Sequence, residues 1–335
     1  LRRERRVDLM RIGNHTLKLV AIAALIASLL PVGAKVWWGF ELATHFRVQY
    51  VILDVLLLVA LGLRRQWLWS AALAACAAWS MLWVAPYIPF GPRAAVAASP
   101  TVSGATVKLM SANVLFRNHS AKRLLEIVRD ESPDVLLLVE YTPEWSRMSD
   151  ELRRTYPYHL EGPGTGAFGI ALFSRLPLDS VRPFALGTTT AIEAHVRTPT
   201  GPLTLFGVHL RSPTTPRRGE YRDRQLDLLE ELLAAEKGPV AVMGDFNITP
   251  YSPFYTDWLA KTGLTDTRRA RTLSPSWPTY LPLLGIPIDH CAVSRDVTIV
   301  KHRSLPSFGS DHYPILAELA LPAPRAALTH ASSSP

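Results

Sequence analysis

Three long apolar runs within the first 90 residues constrain this 335-residue chain more than any other feature. They are residues 17–34 (LKLVAIAALIASLLPVGA), 48–63 (VQYVILDVLLLVALGL) and 66–90 (QWLWSAALAACAAWSMLWVAPYIPF). A helix needs roughly 20 predominantly apolar residues to cross a bilayer. The first and third runs meet that length, whereas the second is short and carries Asp54. Two further runs follow the first, so it is read as a span and not as a cleaved signal peptide. Arg2, Arg3, Arg5, Arg6 and Arg11 precede the first run, and Arg64 and Arg65 separate the second from the third. Positive flanks stay in the cytoplasm, so three crossings leave everything after about residue 91 outside it. If the second run did not span, the remainder would be inside. The expectation is a multi-pass plasma-membrane protein with an extracytoplasmic C-terminal part. Trp37, Trp38, Trp67, Trp69 and Trp83 cluster near the span ends, as interfacial aromatics do. Asp54 is expected to lie shallow, paired with Arg47 or a backbone group.

The charge divides in the same place. Residues 1–92 hold ten Lys/Arg against four Asp/Glu, while the whole chain holds 36 against 28. Residues 93–335 are therefore left with 26 against 24, and the overall +8 describes mainly the membrane segment. A near-neutral C-terminal part argues against a nucleic-acid binder held by phosphate contacts. The two cysteines, Cys76 and Cys291, sit in a helix-like and a strand-like run, which excludes a thiolate metal cluster and argues against a disulfide. The chain then divides into a basic cytoplasmic N-terminus (1–16), about three membrane helices (17–90), a Pro/Gly and small-residue linker (91–105), a catalytic part (106–320) and a disordered tail (321–335).

Within 106–320, short β-type runs alternate with amphipathic segments. TVKLMSANV (106–114), DVLLLVE (134–140), FGIALFS (168–174), AIEAHV (191–196), LTLFGVHL (203–210), PVAVMGD (239–245), IDHCAVS (288–294) and YPILAEL (313–319) read as strands. Residues 120–131 and 217–236 have helical apolar spacing. So many strands exceed a single βαβ sheet and predict two sheets packed face to face with helices outside.

The polar residues fall at the ends of those strands: Asn113, Glu140, His209, Asp245, Asn247, Asp289, Asp311 and His312. One Asp or Asn after a strand is an ordinary turn residue. Eight such positions at successive strand ends are a site, because a carboxylate there must be solvated, paired or metal-bound. Carboxylates, an amide and histidines together suit metal-assisted attack on a phosphate ester.

These residues resemble the endonuclease/exonuclease/phosphatase superfamily, which includes DNase I, apurinic endonucleases, sphingomyelinases and inositol phosphatases. The resemblance spans about 106–320 and rests on the Asn113 strand, Glu140, the Ser174–Arg175 pair, His209, GDFN (244–247), IDH (288–290) and SDH (310–312), in the family's order. The preceding spans, VEYTPEW (139–145) and SWPTYLPLLGIPIDH (276–290) are similar to a membrane-anchored bacterial branch that includes VanJ-type teicoplanin-resistance proteins. The resemblance implies a DNase I-like four-layer α/β (α+β) sandwich. It implies that Glu140 holds a divalent cation (Mg²⁺ or Mn²⁺), helped by Asn113, with Asp311 on the metal side. Asp245 would orient or deprotonate the attacking water, and Asn247 would hold the phosphate. His312, oriented by Asp289, would contact the phosphoryl oxygen, and His209 would donate to another. A Glu is usual just after the first strand, where this chain has Val114 and Leu115, so the metal's second protein ligand is left unassigned. His290 points to the opposite face of a regular strand and is left out.

The expected function is a membrane-anchored phosphoesterase acting on lipid-linked phosphate or pyrophosphate at the outer membrane face, with a role in envelope metabolism and glycopeptide tolerance. The apolar stretch 273–288 could form a lipid-facing lip, and the arginines at 211, 217, 218, 222 and 224 could bind a pyrophosphate or head group. The alternatives are an extracytoplasmic nuclease and a non-catalytic sensor of lipid-linked phosphate. No protein partner is inferred.

Overall fold

The computed structural model of the chain describes residues 2–90 and 105–322. The expected linker (91–105) and tail (321–335) fall almost wholly outside the described residues. Four helices come first: α1 (Arg2–Leu29), α2 (Trp38–Ala43), α3 (Arg47–Leu63) and α4 (Trp67–Val84). By length and composition three stretches can cross a membrane, Asn14–Gly33, Trp38–Leu63 and Trp67–Tyr87. The second is longer than its apolar run, because α2 and a 3-10 turn extend α3 backward through the polar residues Glu41, His45 and Arg47.

The three helical stretches pack through Ala21, Ala24, Leu57, Leu61 and Leu73, and turn Leu19, Ile26, Leu56 and Leu82 outward. Two alanines let α1 approach closely at this contact, and the large apolar side chains outside suit a lipid environment. Asp54 departs from the expectation. It is fully buried and its Oδ2 accepts a hydrogen bond from Ser28 Oγ at 2.8 Å. Arg47 instead donates to the carbonyl of Tyr251 and lies 4.6 Å from the Trp83 ring centroid.

The remainder is built from strands β1 (Thr106–Asn113), β2 (Val135–Val139), β3 (Tyr158–Gly162), β4 (Ile170–Ser174), β5 (Leu178–Leu186), β6 (Thr189–Thr198), β7 (Gly201–His209), β8 (Val240–Asp245), β9 (Thr265–Asp266), β10 (Asp289–Val293), β11 (Thr298–Ser304) and β12 (Ile315–Ala320). They form two six-stranded mixed sheets, ordered β11-β12-β1-β2-β4-β3 and β5-β6-β7-β8-β10-β9. Leu109, Leu137, Leu172, Ile192, Leu205, Met243 and Cys291 fill the space between the sheets. Alternate residues such as Met110, Leu136 and Phe173 face helix Lys122–Glu131 and its neighbours. Phe206, Val242 and Phe246 face helices Pro216–Ala234 and Pro253–Thr262. Burial on both faces explains why LLLV and VAVM read as unbroken apolar runs. The result is the four-layer sandwich expected. Both cysteines are free and buried.

Each sheet has a parallel pair at its centre, β1/β2 and β7/β8, and these bring strand ends to one edge. Asn113 pairs with Val139, the residue before Glu140, while His209 and Asp289 both pair with Asp245.

Candidate active site

Asp245 lies at the centre of the site. It is buried at the end of β8, aimed by Gly244, whose φ of +144° suits glycine and whose added Cβ would lie 1.8 Å from the Val208 carbonyl. Its Oδ1 accepts the backbone N–H of Asn247 (2.9 Å) and its Oδ2 accepts Asn113 Nδ2 (3.0 Å). The same oxygen lies 3.6 Å from His209 Nε2 and 3.8 Å from His312 Nε2. Burial and the Asp289 carboxylate push its carboxyl up to about 6, against the pull of His312 and His209.

His312 Nδ1 donates to Asp289 Oδ2 at 2.8 Å, which leaves Nε2 facing Asp245. Burial opposes its charge, but the Asp289 and Asp245 carboxylates outweigh burial and raise it to about 10. The imidazolium is therefore the form present at neutral pH. Ser310 fixes this arrangement by donating to the Asn113 carbonyl (2.7 Å) and accepting from His312 N–H (3.1 Å). Ser276 Oγ accepts the N–H of Ile288 and of Asp289, each at 3.0 Å, and holds the start of β10.

Asn113 bridges the carboxylates. Its Nδ2 donates to Glu140 Oε1 (3.0 Å) as well as to Asp245, while its Oδ1 accepts the Leu115 N–H (3.0 Å). That last bond fixes the amide orientation, so the NH₂ faces the acids and the oxygen faces away. Glu140, at φ +60° just beyond β2, also accepts the Phe116 N–H through Oε2 (3.0 Å). The segment that lacks the usual Glu thus reaches Glu140 through its backbone. Asp311 Oδ2 accepts the indole N–H of Trp277 (3.0 Å), and Asn247, at φ +51°, donates to the Leu210 carbonyl (3.0 Å).

A cavity of about 570 Å³ opens on this cluster, lined by Glu140, His209, Asp245, Asn247, Asp311 and His312, with Asn113 and Asp289 behind the wall. Arg211 and Arg218 also line it, whereas Arg217 donates to Tyr221 and Arg222 is buried against Glu41 and Asp223. The Ser174–Arg175 pair is not in the lining. Ser174 closes a turn onto Leu176, and Arg175 lies over the Tyr156 ring. His290 is turned away, bonded to Asp266 and to the Ile248 carbonyl.

The chemistry of the donors fits a hard divalent cation. Asp245, Asp289 and His312 have ligand-type atoms within 4.8 Å of one another, but the His312 imidazolium has no lone pair to give. The carboxylates of Glu140 and Asp311 on the cavity wall are therefore the donors that suit the cation. Asp289 Oδ1 and Asp311 Oδ1 are buried without a hydrogen bond from the described residues.

The family's sequence profile, described as the endonuclease/exonuclease/phosphatase family, matches residues 110–312. The chain belongs to the endonuclease/exonuclease/phosphatase family. Solved structures carry the same fold. An endonuclease/exonuclease/phosphatase from Beutenbergia cavernae DSM 12333 is 22% identical, with 64% of this chain and 72% of that chain covered and a TM-score of 0.54. A mannosyl-6-phosphatase of Bacteroides thetaiotaomicron VPI-5482 is 16% identical (64% and 100%, TM-score 0.55). TDP2 of D. rerio, solved with a single-strand DNA product, is 17% identical (65% and 100%, TM-score 0.55). Among curated proteins no match was found. The covered share corresponds in extent to the two-sheet part of this family member and leaves about a third of the chain unmatched.

Sequence reasoning missed the part that the N-terminal helical segment plays in the site. Leu42, His45 and Phe46 line the same cavity as Asp245 and His312. The segment grips four consecutive residues that follow the GDFN string. His45 Nδ1 bonds Thr249 Oγ1 (3.0 Å), Tyr87 Oη donates to the Pro250 carbonyl (3.5 Å), Arg47 to that of Tyr251 (3.3 Å), and Glu41 Oε1 accepts from Ser252 Oγ (2.9 Å). Trp38 Nε1 donates to the Pro213 carbonyl and Gln49 Nε2 to that of Gly285. The available signal was three charged or ionisable residues, Glu41, His45 and Arg47, in a stretch otherwise suited to lipid.

Proposed function

We propose that this chain is a membrane-anchored, divalent-metal-dependent phosphoesterase that hydrolyses lipid-linked phosphate or pyrophosphate at the outer face of the plasma membrane. The observation that carries the proposal is that one cavity is lined both by the catalytic cluster and by the head of the second membrane helix. A soluble phosphate ester would need no such wall. The start of the second stretch and the end of the third both hold the two-sheet part, while Arg64, in the turn between the second and third stretches, bonds Asn14 at the other end. With the arginine-rich flanks inside, this arrangement supports an extracytoplasmic active site.

Glu140 and Asp311, beside Asn113, would hold Mg²⁺ or Mn²⁺, which when bound offsets phosphate charge and lowers the pKa of its water. Asp245, raised toward neutrality, accepts the proton of the attacking water. The water oxygen bonds to phosphorus as the P–O bond to the leaving group breaks, an ester bond in a phosphate or the anhydride bond in a pyrophosphate, and the leaving oxygen takes a proton from solvent. The His312 imidazolium and the His209 side chain donate to the phosphoryl oxygens, and the Asn247 backbone holds Asp245 in place. Similarity to VanJ-type proteins adds a role in cell-envelope metabolism and teicoplanin resistance.

The test is phosphate release from polyprenyl pyrophosphate and from glycerophospholipids by the detergent-purified chain, with Mg²⁺ or EDTA, beside Asp245→Asn and His312→Ala. Metal-dependent release that both variants lose is expected. Undiminished activity in the variants would remove the assignment.

A further inference from the structure

Leu42, in α2, and Phe46, at the end of the 3-10 turn that joins α2 to α3, stand four residues apart at the head of the second helical stretch. Both are half-buried and both line the catalytic cavity. Their neighbours are anchored, His45 while also lining the same cavity. Glu41 is buried against Arg222 (3.3 Å), His45 against Thr249 and Arg47 against Tyr251. Trp38 and Gln49 tie the two ends of this stretch to Pro213 and Gly285, so it is held along the cavity wall as a fixed strap.

The cavity also receives Trp277, Ile286 and Ile288. Along the chain, that wall runs back into residues 280–284, where Tyr280 is 71% and Leu283 87% exposed. From Phe46 the strap runs on into α3, whose Ile52 and Leu56 face outward. Apolar residues thus lead from the catalytic cluster to the lipid-facing surface along both segments. Large exposed apolar side chains of this kind mark an interaction surface.

We propose that Leu42 and Phe46, with Ile286 and Ile288, form a subsite for the first carbons of the apolar alcohol esterified to the scissile phosphate. The membrane segment then sets substrate specificity as well as location. This inference rests on the reading that the substrate is a lipid-linked phosphate. Its occupant is an aliphatic or prenyl chain from the bilayer.

The test uses the full-length protein in detergent with butyl, hexyl, octyl and decyl phosphate below their micellar concentrations. Each methylene that enters the subsite raises kcat/KM by up to about fourfold. Phe46→Ala and Leu42→Ala are expected to lower the decyl-to-butyl ratio of kcat/KM by about tenfold or more. Phe46→Trp, which fills the space, moves the preferred chain to a shorter length, and Leu68→Ala, at the far end of the helices, leaves the ratio unchanged. If the Ala variants lower all four substrates by one factor, the strap supports the fold only and the subsite is overturned. If the wild type turns over none of the four, calorimetric binding of the same series decides. Affinity that rises with chain length and flattens in Phe46→Ala keeps the subsite while the hydrolase reading fails. Absent or length-independent binding overturns the subsite.

Discussion

Asp289 and His312 form a carboxylate–imidazole pair at 2.8 Å, fully enclosed where β10 begins and where the last loop enters β12. The pair explains why a buried histidine stays charged. Asp289→Asn removes the charge but preserves the shape, so burial then favours the neutral ring. The expected outcome is a kcat roughly 100-fold lower or worse with KM little changed, measured by steady-state phosphate release. An effect confined to KM would give Asp289 a binding role instead.

Glu41 and Arg222 join the N-terminal helical segment to the two-sheet part through a buried contact at 3.3 Å, and Arg222 also holds Asp223. Removing one partner of such a pair strands the other, at about 3 kcal/mol or more. Arg222→Met is expected to lower the melting temperature clearly, and Glu41→Leu combined with Arg222→Met to recover much of the loss. Thermal unfolding in detergent, followed by circular dichroism, checks both.

Gly244 precedes the central carboxylate in a conformation that side chains rarely adopt, and its Cβ position is blocked by backbone. Gly244→Ala should cost about 3 kcal/mol and displace Asp245. Gly238, whose added Cβ meets nothing within 4 Å, is the control. Comparison of melting temperature and activity for the two alanine variants tests this.

Asp266 is buried beneath the site. Burial raises its carboxyl, but His290 and Arg268 outweigh burial and hold it at about 2, below its ordinary 3.8. A carboxyl depressed in the folded state stabilises the fold above its unfolded pKa, and that stability is lost as pH falls through the folded value. About 2 kcal/mol should therefore disappear between about pH 4 and pH 2. Asp266→Asn should be less stable than the wild type at pH 6 and differ less from it at pH 2, in near-ultraviolet circular dichroism melts.

The two-sheet fold was legible because its central strands are apolar on both faces and end in charged or amide residues. Leu136 and Leu137 face opposite cores, so VLLLV could only be a buried strand. The missed strands have open faces. In β5, Asp179, Ser180, Arg182 and Pro183 are solvent-facing, and in β11 only His302 is buried, so neither presents a buried apolar run. Local pattern cannot reveal an edge strand whose stability comes from its neighbour. At the site, Asn113, Glu140, His209, Asp245, Asn247, Asp311 and His312 could be found because each stands at or near a strand end. Ser276 was not, because a lone Ser in a loop carries no signal until its partner is known, and Trp277 and Ser310 were read only as parts of the apolar lip and the SDH string, without the hydrogen bonds they make. The strap was hidden for a different reason. Its apolar residues were already accounted for by lipid, and nothing local says that Leu42 and Phe46, which stand 203 and 199 positions before Asp245, face the same cavity.

The most direct measurement gives the full-length protein polyprenyl pyrophosphate and supercoiled plasmid side by side, with Mg²⁺, and follows phosphate release and nicking at matched concentrations. The account predicts EDTA-sensitive phosphate release from the lipid, lost in Asp245→Asn, with no nicking above that variant's background. Nicking that depends on Asp245, with the lipid left intact, would contradict it and make this family member a nuclease.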